Sequence, residues 1–364
     1  MDSAKSKRDV LLTVVVPAYN VAEFLEKAVL STIVKGHEDR VETLIVNDGS
    51  KDDTERTGKK LASKYPNVHL INKKNGGHGS TINVGVDEAR GKYFRLLDGD
   101  DWYDEEEFKE FLRRLSDEDS DLVLTDYVEY FMKTGLNNPR TFYLELEEYK
   151  EYELSSVEFP DWGPMLPTTT IKTSLLKESS FKIDEHCYYV DQEYNLNNYI
   201  IADTVVYYPL MVYGYRLERE GQSMTRESVV KNVYSHEKVC MRLLSEFVAR
   251  EETVGQSEKE YLIDRIIVPM CRMQYMVTTD WCNSRKPFLS FNKKLREYRG
   301  FYSDDKIIGP YVKFHRATRG LFIGLKANFK KVADGSRVLR GAYRLSGAVK
   351  KLSGRAFNYI RRRK

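Results

Sequence analysis

Lys92-Tyr93-Phe94-Arg95-Leu96-Leu97-Asp98-Gly99-Asp100-Asp101-Trp102-Tyr103-Asp104 is the stretch whose reading decides the fold. Its first half, entered through Gly91, predicts a buried strand over Tyr93–Leu97, because apolar and aromatic residues dominate it. Its second half puts three carboxylates, Asp98, Asp100 and Asp101, at the strand's carboxyl end. Hard divalent cations take oxygen ligands and keep sites for water and phosphate, so one or two carboxylates can hold a metal against a diphosphate. In open α/β sheets, ligands bind in the crevice at that end of the strands. The competing reading is a solvated acidic turn leading into a helix, since Asp104 and Glu107 have capping-box spacing.

Upstream, strand, loop and helix follow one another repeatedly. Leu11–Val16 is a continuous apolar run, the pattern of a strand buried on both faces of a parallel sheet, and Pro17-Ala18-Tyr19 is predicted to end it. Asn20 with Glu23 reads as an N-cap pair before an apolar helical stripe of Phe24, Leu25, Ala28 and Val29. Glu42–Asn47 is a second strand, ending at Asp48-Gly49-Ser50, with Ser50 and Asp53 spaced to cap a polar helix. Val68–Asn72 is a third. This alternation implies right-handed crossovers and a mostly parallel sheet. Asp48, just past a strand end, is placed to meet a ribose or base edge, or is an ordinary Asp-Gly turn residue.

Lys73-Lys74-Asn75-Gly76-Gly77-His78-Gly79-Ser80 brings three glycines into four positions, which permits close backbone approach and positive φ. Ser80 is expected to cap the following helix, whose N-terminus favours anions. The loop fits neither the Walker nor the dinucleotide fingerprint. His78 suits contact with phosphate or sugar, or a purely structural hydrogen bond.

Taken in order, these landmarks resemble the family 2 glycosyltransferases over roughly residues 10–130. Val14–Asn20 resembles the family's opening strand and loop, and Val46–Ser50 with Asp52-Asp53-Thr54 its second strand end. Asn75, Gly77, Asn83, Gly85 and Ala89–Tyr93 then precede Leu97–Trp102, which resembles the DxD-type motif. The resemblance implies an α/β GT-A fold, a Rossmann-like mostly parallel sheet flanked by helices. It implies that Pro17, Ala18, Tyr19 and Asp48 line a base and ribose pocket beside Asn75 and Gly77. Asp98 would contact ribose or metal, and Asp100 would be the main ligand of Mg²⁺ or Mn²⁺ bridging the diphosphate of a nucleoside-diphosphate sugar. Thr81-Ile82-Asn83 departs from the Ala-Arg-Asn triplet of many members.

Further along, Leu122–Leu124, Thr141–Leu146 and Thr168–Ile171 read as extended pieces, and Ser174–Glu178 as a helix. Trp162 is an acceptor platform or a buried structural residue. Tyr188-Tyr189-Val190-Asp191-Gln192-Glu193-Tyr194 resembles the family's Glu-Asp motif with an aromatic three positions on, although Val190 stands where the Glu would be. By this resemblance Asp191 is the general base. Glu193 is the fallback, about 200° away around a helix. Val205–Tyr208 and Met211–Tyr215 read as closing strands. Arg216 or Arg219, flanking the loop that includes Gly221-Gln222-Ser223, pairs with the diphosphate or is solvated.

Length and composition suit a two-part protein: 364 residues, 41% hydrophobic, with 25 Tyr. The expected division is a glycosyltransferase domain over 1–227 and a helical region over 228–364. No apolar run approaches the ~20 residues of a membrane span, and the charged Met1–Asp9 lacks the apolar core of a signal peptide. Four scattered cysteines suit a reducing cytosol. The net charge of +3 hides an asymmetry: Lys313–Lys364 holds 16 Lys and Arg against one acid, whereas the rest holds 42 against 54. Apolar residues recur among those bases at near-helical spacing, so the stretch is read as an amphipathic element for an anionic membrane surface. The other readings are a packed helical appendage with a solvated charged face and, less favoured, an RNA-binding tail.

The expectation is thus an inverting, metal-dependent transferase on the cytoplasmic face of the plasma membrane. It would move a sugar, from a UDP-sugar first of all, to a glycan, lipid-linked or teichoic-type hydroxyl in cell-surface polymer synthesis. The alternative is a non-catalytic nucleotide- or glycan-binding subunit of a polysaccharide assembly complex.

Overall fold

The computed structural model describes residues 9–141, 146–157, 159, 165–218, 225–282, 284–298, 310–320 and 323. The chain divides into two compact units, Met1–Gln222 and Ser223–Lys364. The first begins with β1 (Leu12–Ala18), α1 (Ala22–Leu30), β2 (Val41–Asn47), α2 (Thr54–Lys64), β3 (Val68–Asn72), α3 (His78–Glu88) and β4 (Tyr93–Leu96). It continues through β5 (Trp102–Tyr103), α4 (Glu105–Leu115), β6 (Leu122–Phe131), β7 (Leu136–Arg140), β8 (Glu151–Glu153), β9 (Thr169–Lys172), α5 (Thr173–Glu178), α6 (Asp191–Ile201) and β10 (Thr204–Leu217).

All seven positions of β1 and of β2 are buried, as their near-continuous apolar runs predict for strands covered on both faces. β1 pairs in parallel with β2 on one side and β4 on the other. The sheet order is β3-β2-β1-β4-β9-β6-β10-β5, with β9 antiparallel between β4 and β6. Strand order therefore reverses at β1, and the crevice expected at such a switch point lies beyond the carboxyl ends of β1, β2 and β4. The loops at Tyr19, Asp48 and Asp98 all leave from there.

Several local expectations are corrected. Asn20 is not a helix cap: it sits at φ 53°, its side chain accepts from Lys51 N at 2.8 Å, and α1 is capped from across the crevice. Val21 N donates to Thr54 Oγ1 at 2.9 Å and Ala22 N to Asp52 Oδ2 at 3.0 Å, so the α2 loop satisfies the orphan donors of α1. Asp52 also accepts from Thr54 N, whereas Asp53, the N-cap of α2, makes no side-chain cap bond. Ser80 lies inside α3, which begins at His78 behind Gly77. Pro209 does not split the last strand; β10 runs through it, with a register shift between Tyr208 and Tyr213 where the missing N–H would break pairing with β6. Asp104 does cap α4, accepting from Glu107 N at 3.2 Å, while the Glu107 carboxylate takes Met211 N instead of closing a box.

Arg95 lies on β4 and is fully buried. Its guanidinium donates to Thr170 Oγ1, Thr125 Oγ1 and Pro167 O at 2.7–2.9 Å, tying β4 to β9 and β6. Burial lowers its pKa.

The second unit is helical: α7 (Arg226–Lys231), α8 (Val233–Arg250), α9 (Gln256–Tyr261), α10 (Val268–Met276), α11 (Lys286–Leu295) and α12 (Pro310–Ala317). Wider π-type turns at Leu262–Ile267 and Val277–Trp281 flank α10. Leu243 and Phe247 of α8, Tyr275 of α10 and Phe288 and Phe291 of α11 are among its buried residues. Asn232 separates α7 from α8. All four cysteines are free and buried. Among the described residues no helix is long and apolar enough to cross a membrane. Most of the basic stretch from Lys313, together with Trp162, Arg219 and Gly221-Gln222-Ser223, lies outside the described residues.

Candidate active site

Asp48 is 2% exposed, and its carboxylate gathers the glycine-rich loop. Lys73 Nζ donates to Oδ1 at 2.7 Å, Gly76 N to Oδ1 at 2.8 Å, Gly77 N to Oδ2 at 2.8 Å and Asn75 Nδ2 to Oδ2 at 3.0 Å. An ionised carboxylate has about four lone-pair sites, so these contacts fill its acceptor capacity from within the protein. Asp48 therefore shapes the loop in which Asn75 and Gly77 sit. Lys73, which sequence reasoning missed, is 25 positions away and nothing local pairs it with Asp48. Pro17 and Ala18 end β1, and Tyr19 follows them at 47% exposure.

The turn after β4 separates its three carboxylates by function. Asp101 is buried: Tyr213 Oη donates to its Oδ2 at 2.7 Å and Arg216 N to its Oδ1 at 2.7 Å. It pins the turn to β10, a role its position in the motif does not announce. Asp98 N donates to the same Tyr213 hydroxyl at 3.2 Å, and Arg216 Nε donates to Asp100 O at 2.7 Å. Burial first, then the charges of Asp100 and Asp98, push the Asp101 carboxyl well above the ordinary range. Negative charge is concentrated here. Trp102 extends the turn as an aromatic shelf, with Lys27 Nζ 3.2 Å from its ring centre and Arg216 Cζ 5.0 Å away. Burial and the nearby Arg216 lower the Lys27 pKa.

Asp191 opens α6 without capping it, and Gln192 Nε2 donates to its Oδ2 at 3.0 Å. Glu193 points elsewhere. It is 0% exposed, and its Oε2 accepts from Asp184 N at 2.9 Å. The two departures from the family pattern, Ile82 and Val190, are both buried apolar positions.

Tyr215 on β10 reports how these groups are gathered. Burial raises its phenol pKa, and Asp98, Asp101, Asp191 and Asp100 raise it further, in that order. Each of these four carboxylates lies near enough for its charge to act on Tyr215. The Asp48 loop meets the turn after β4 and the segment before α6: His78 Nε2 lies 4.0 Å from Asp98 Oδ1, and His186 N donates to Gly76 O at 2.5 Å. Among the described residues no group of three or more His, Cys, Asp or Glu side chains is arranged for a metal ion. Asp101 is engaged by β10, and Asp98 and Asp100 are the other two carboxylates of the turn.

Residues 13–189 match the family model for Glycosyl transferase family 2. They form a family 2 glycosyltransferase domain. The match stops two residues before Asp191. The minor teichoic acid biosynthesis protein GgaB of Bacillus subtilis (strain 168) is 31% identical over 237 residues, 62% of this chain and 25% of GgaB. The glycosyltransferase GlyA of Streptococcus pneumoniae serotype 4 is 24% identical over 231 residues, 58% of this chain and 31% of GlyA. The chain thus spans about a quarter to a third of these two relatives. Among solved structures, S. aureus TarS 1-349 in complex with UDP-GlcNAc superposes with a TM-score of 0.63 at 19% identity, covering 85% of this chain and 88% of that one. The shared architecture is the GT-A fold.

Proposed function

We propose that this family 2 glycosyltransferase is an inverting, metal-dependent enzyme that moves a sugar from a UDP-sugar to a hydroxyl of a teichoic-type or related cell-surface glycan acceptor. The observation that carries the reading is the turn after β4, where Asp98 and Asp100 stand at the carboxyl end of a central parallel strand within the family 2 domain. Support for the donor comes from the likeness to TarS, whose structure holds UDP-GlcNAc. Support for the acceptor class comes from GgaB, named for minor teichoic acid biosynthesis.

The chemistry of the turn after β4 fits a divalent cation: Asp98 and Asp100 supply hard oxygen donors at the strand end, and one or two carboxylates suffice where a diphosphate supplies the rest. Asp98 and Asp100 would hold Mg²⁺ or Mn²⁺, which supplies charge neutralisation at a departing diphosphate. Asp48 serves the donor through the loop it holds, and Pro17, Ala18 and Tyr19 border the nucleoside. Asp191 takes the proton of the acceptor hydroxyl as that oxygen bonds to the anomeric carbon. The bond from that carbon to the diphosphate oxygen breaks on the opposite face, and its electron pair leaves with the nucleotide. A base so placed contributes about 10²–10⁴-fold.

The basic stretch from Lys313 would hold the enzyme on an anionic membrane. Co-sedimentation with phosphatidylglycerol vesicles, reversed by salt and lost on deleting that stretch, supports this. Equal binding to neutral vesicles contradicts it.

Calorimetry with UDP-, GDP- and dTDP-sugars plus Mn²⁺, beside a nucleotide-release assay on teichoic acid, tests the main reading. Metal-dependent binding of a UDP-sugar with acceptor-dependent UDP release is expected. Binding without release under any acceptor favours the non-catalytic alternative.

A further inference from the structure

Between α5 and α6 the chain passes over the glycine-rich loop and is held there by three separate contacts before it reaches Asp191. Asn83, in the middle of α3, uses its carboxamide twice: Nδ2 donates to Ile183 O at 2.9 Å and Oδ1 accepts from Ile183 N at 2.9 Å. The next residue, Asp184, gives its N–H to Glu193 Oε2 at 2.9 Å. Two residues on, His186 N donates to Gly76 O at 2.5 Å. The fit is close. A Cβ at Gly79 would lie 2.2 Å from Asp184 O, so only glycine admits the strap at that point. His186 and Tyr189 hold φ of 51° and 69°, a backbone state that persists only where the surroundings over-determine it.

We infer that Asn83 and Glu193 are positioning residues, which together clamp the strap 183–190 and thereby set Asp191 against the donor loop. The inference rests on Asp191 being the base. The side chain of Asn83 fixes the strap to the helix behind the glycine-rich loop, and Glu193 fixes the strap to the first turn of the helix that Asp191 opens. Glu193 is then no reserve base: its buried carboxylate orders a backbone N–H nine residues earlier. The same glycine-rich loop that Asp48 gathers accepts the strap through Gly76 O, so donor pocket and base share one support.

The test compares Asn83→Ala, Glu193→Ala, Glu193→Gln and Asp191→Asn in the full chain. Three readouts are used: UDP affinity with Mn²⁺, amide exchange over 183–191, and UDP release from UDP-GlcNAc with wall teichoic acid. Glu193→Gln keeps an oxygen acceptor for Asp184 N and should match wild type on all three. Asn83→Ala and Glu193→Ala should speed exchange over the strap at least about tenfold. They should also lower kcat by about 100-fold, as misplacement of a reacting group does, with donor KM and UDP affinity within about threefold. If Glu193→Ala does not fold, Asn83→Ala alone carries the comparison through exchange. Wild-type exchange in Asn83→Ala overturns the clamp. An inactive Asp191→Asn beside clamp variants of wild-type kcat overturns the clamp and leaves the base reading standing. An active Asp191→Asn with an inactive, normally exchanging Glu193→Gln overturns both, and makes Glu193 the base.

Discussion

Asp48 and Asp191 are set in place by different routes. Asp48 leaves the end of a central strand and is locked by four short contacts from a loop only 25–29 positions away. Asp191 begins a helix that follows two left-handed residues, and the strap before it is held by Asn83, a hundred residues earlier. The Asp48 side is thus a compact motif, close to self-supporting. The base side is an assembly of distant pieces. In such an arrangement nucleotide binding should survive changes that stop transfer, while the reverse should not occur.

The sharpest way to break that contrast is Asp191→Asn. UDP release should fall about 10²–10⁴-fold with calorimetric UDP affinity unchanged; a parallel loss of both would mean the two sides are not separable. Asp48→Ala attacks the other side, leaving Lys73 and the N–H groups of Gly76 and Gly77 without their carboxylate. A loss of about 3–5 kcal/mol in denaturant unfolding should accompany lost UDP binding.

A pH control lies in the helical unit, where burial holds His236 neutral and depresses its pKa to about 4. The unfolded imidazole binds a proton near pH 6.5, so this contribution is full above that value and disappears as the pH falls toward 4, by about 3 kcal/mol. His236→Gln should flatten the melting-temperature profile between pH 6.5 and 4 without altering UDP affinity. The smallest effect is expected for Tyr213→Phe. It removes the hydroxyl joining Asp98 N and Asp101, costs about 2 kcal/mol, and should loosen Mn²⁺-dependent UDP binding more than metal-free binding.

The parallel strands and the aspartates at their ends were legible because apolar runs and strand-end acids depend on few residues. Caps were not. Asn20, Ser50 and Ser80 have the residue type and spacing of caps, but the crevice loops bond one another, so donors that local rules assign to a helix's own first turn go to Thr54 and Asp52. Arg95 is hidden for a similar reason: three oxygens from two other strands and their flanks make a fully buried guanidinium tolerable inside what reads as an apolar strand. The resemblance pointed to Asp191, and what the sequence does not show is that Glu193 is engaged by Asp184 N, nine positions earlier. The commitment of Asp101 to β10 likewise depends on Tyr213, 112 positions on.

The most direct test is a crystal structure of the chain with a UDP-sugar and Mn²⁺. The diphosphate and metal should lie against Asp98 and Asp100, with the face of the anomeric carbon opposite the diphosphate turned toward the Asp191 carboxylate. Nucleotide bound away from the turn after β4, or an anomeric carbon whose open face turns away from Asp191, would contradict the account.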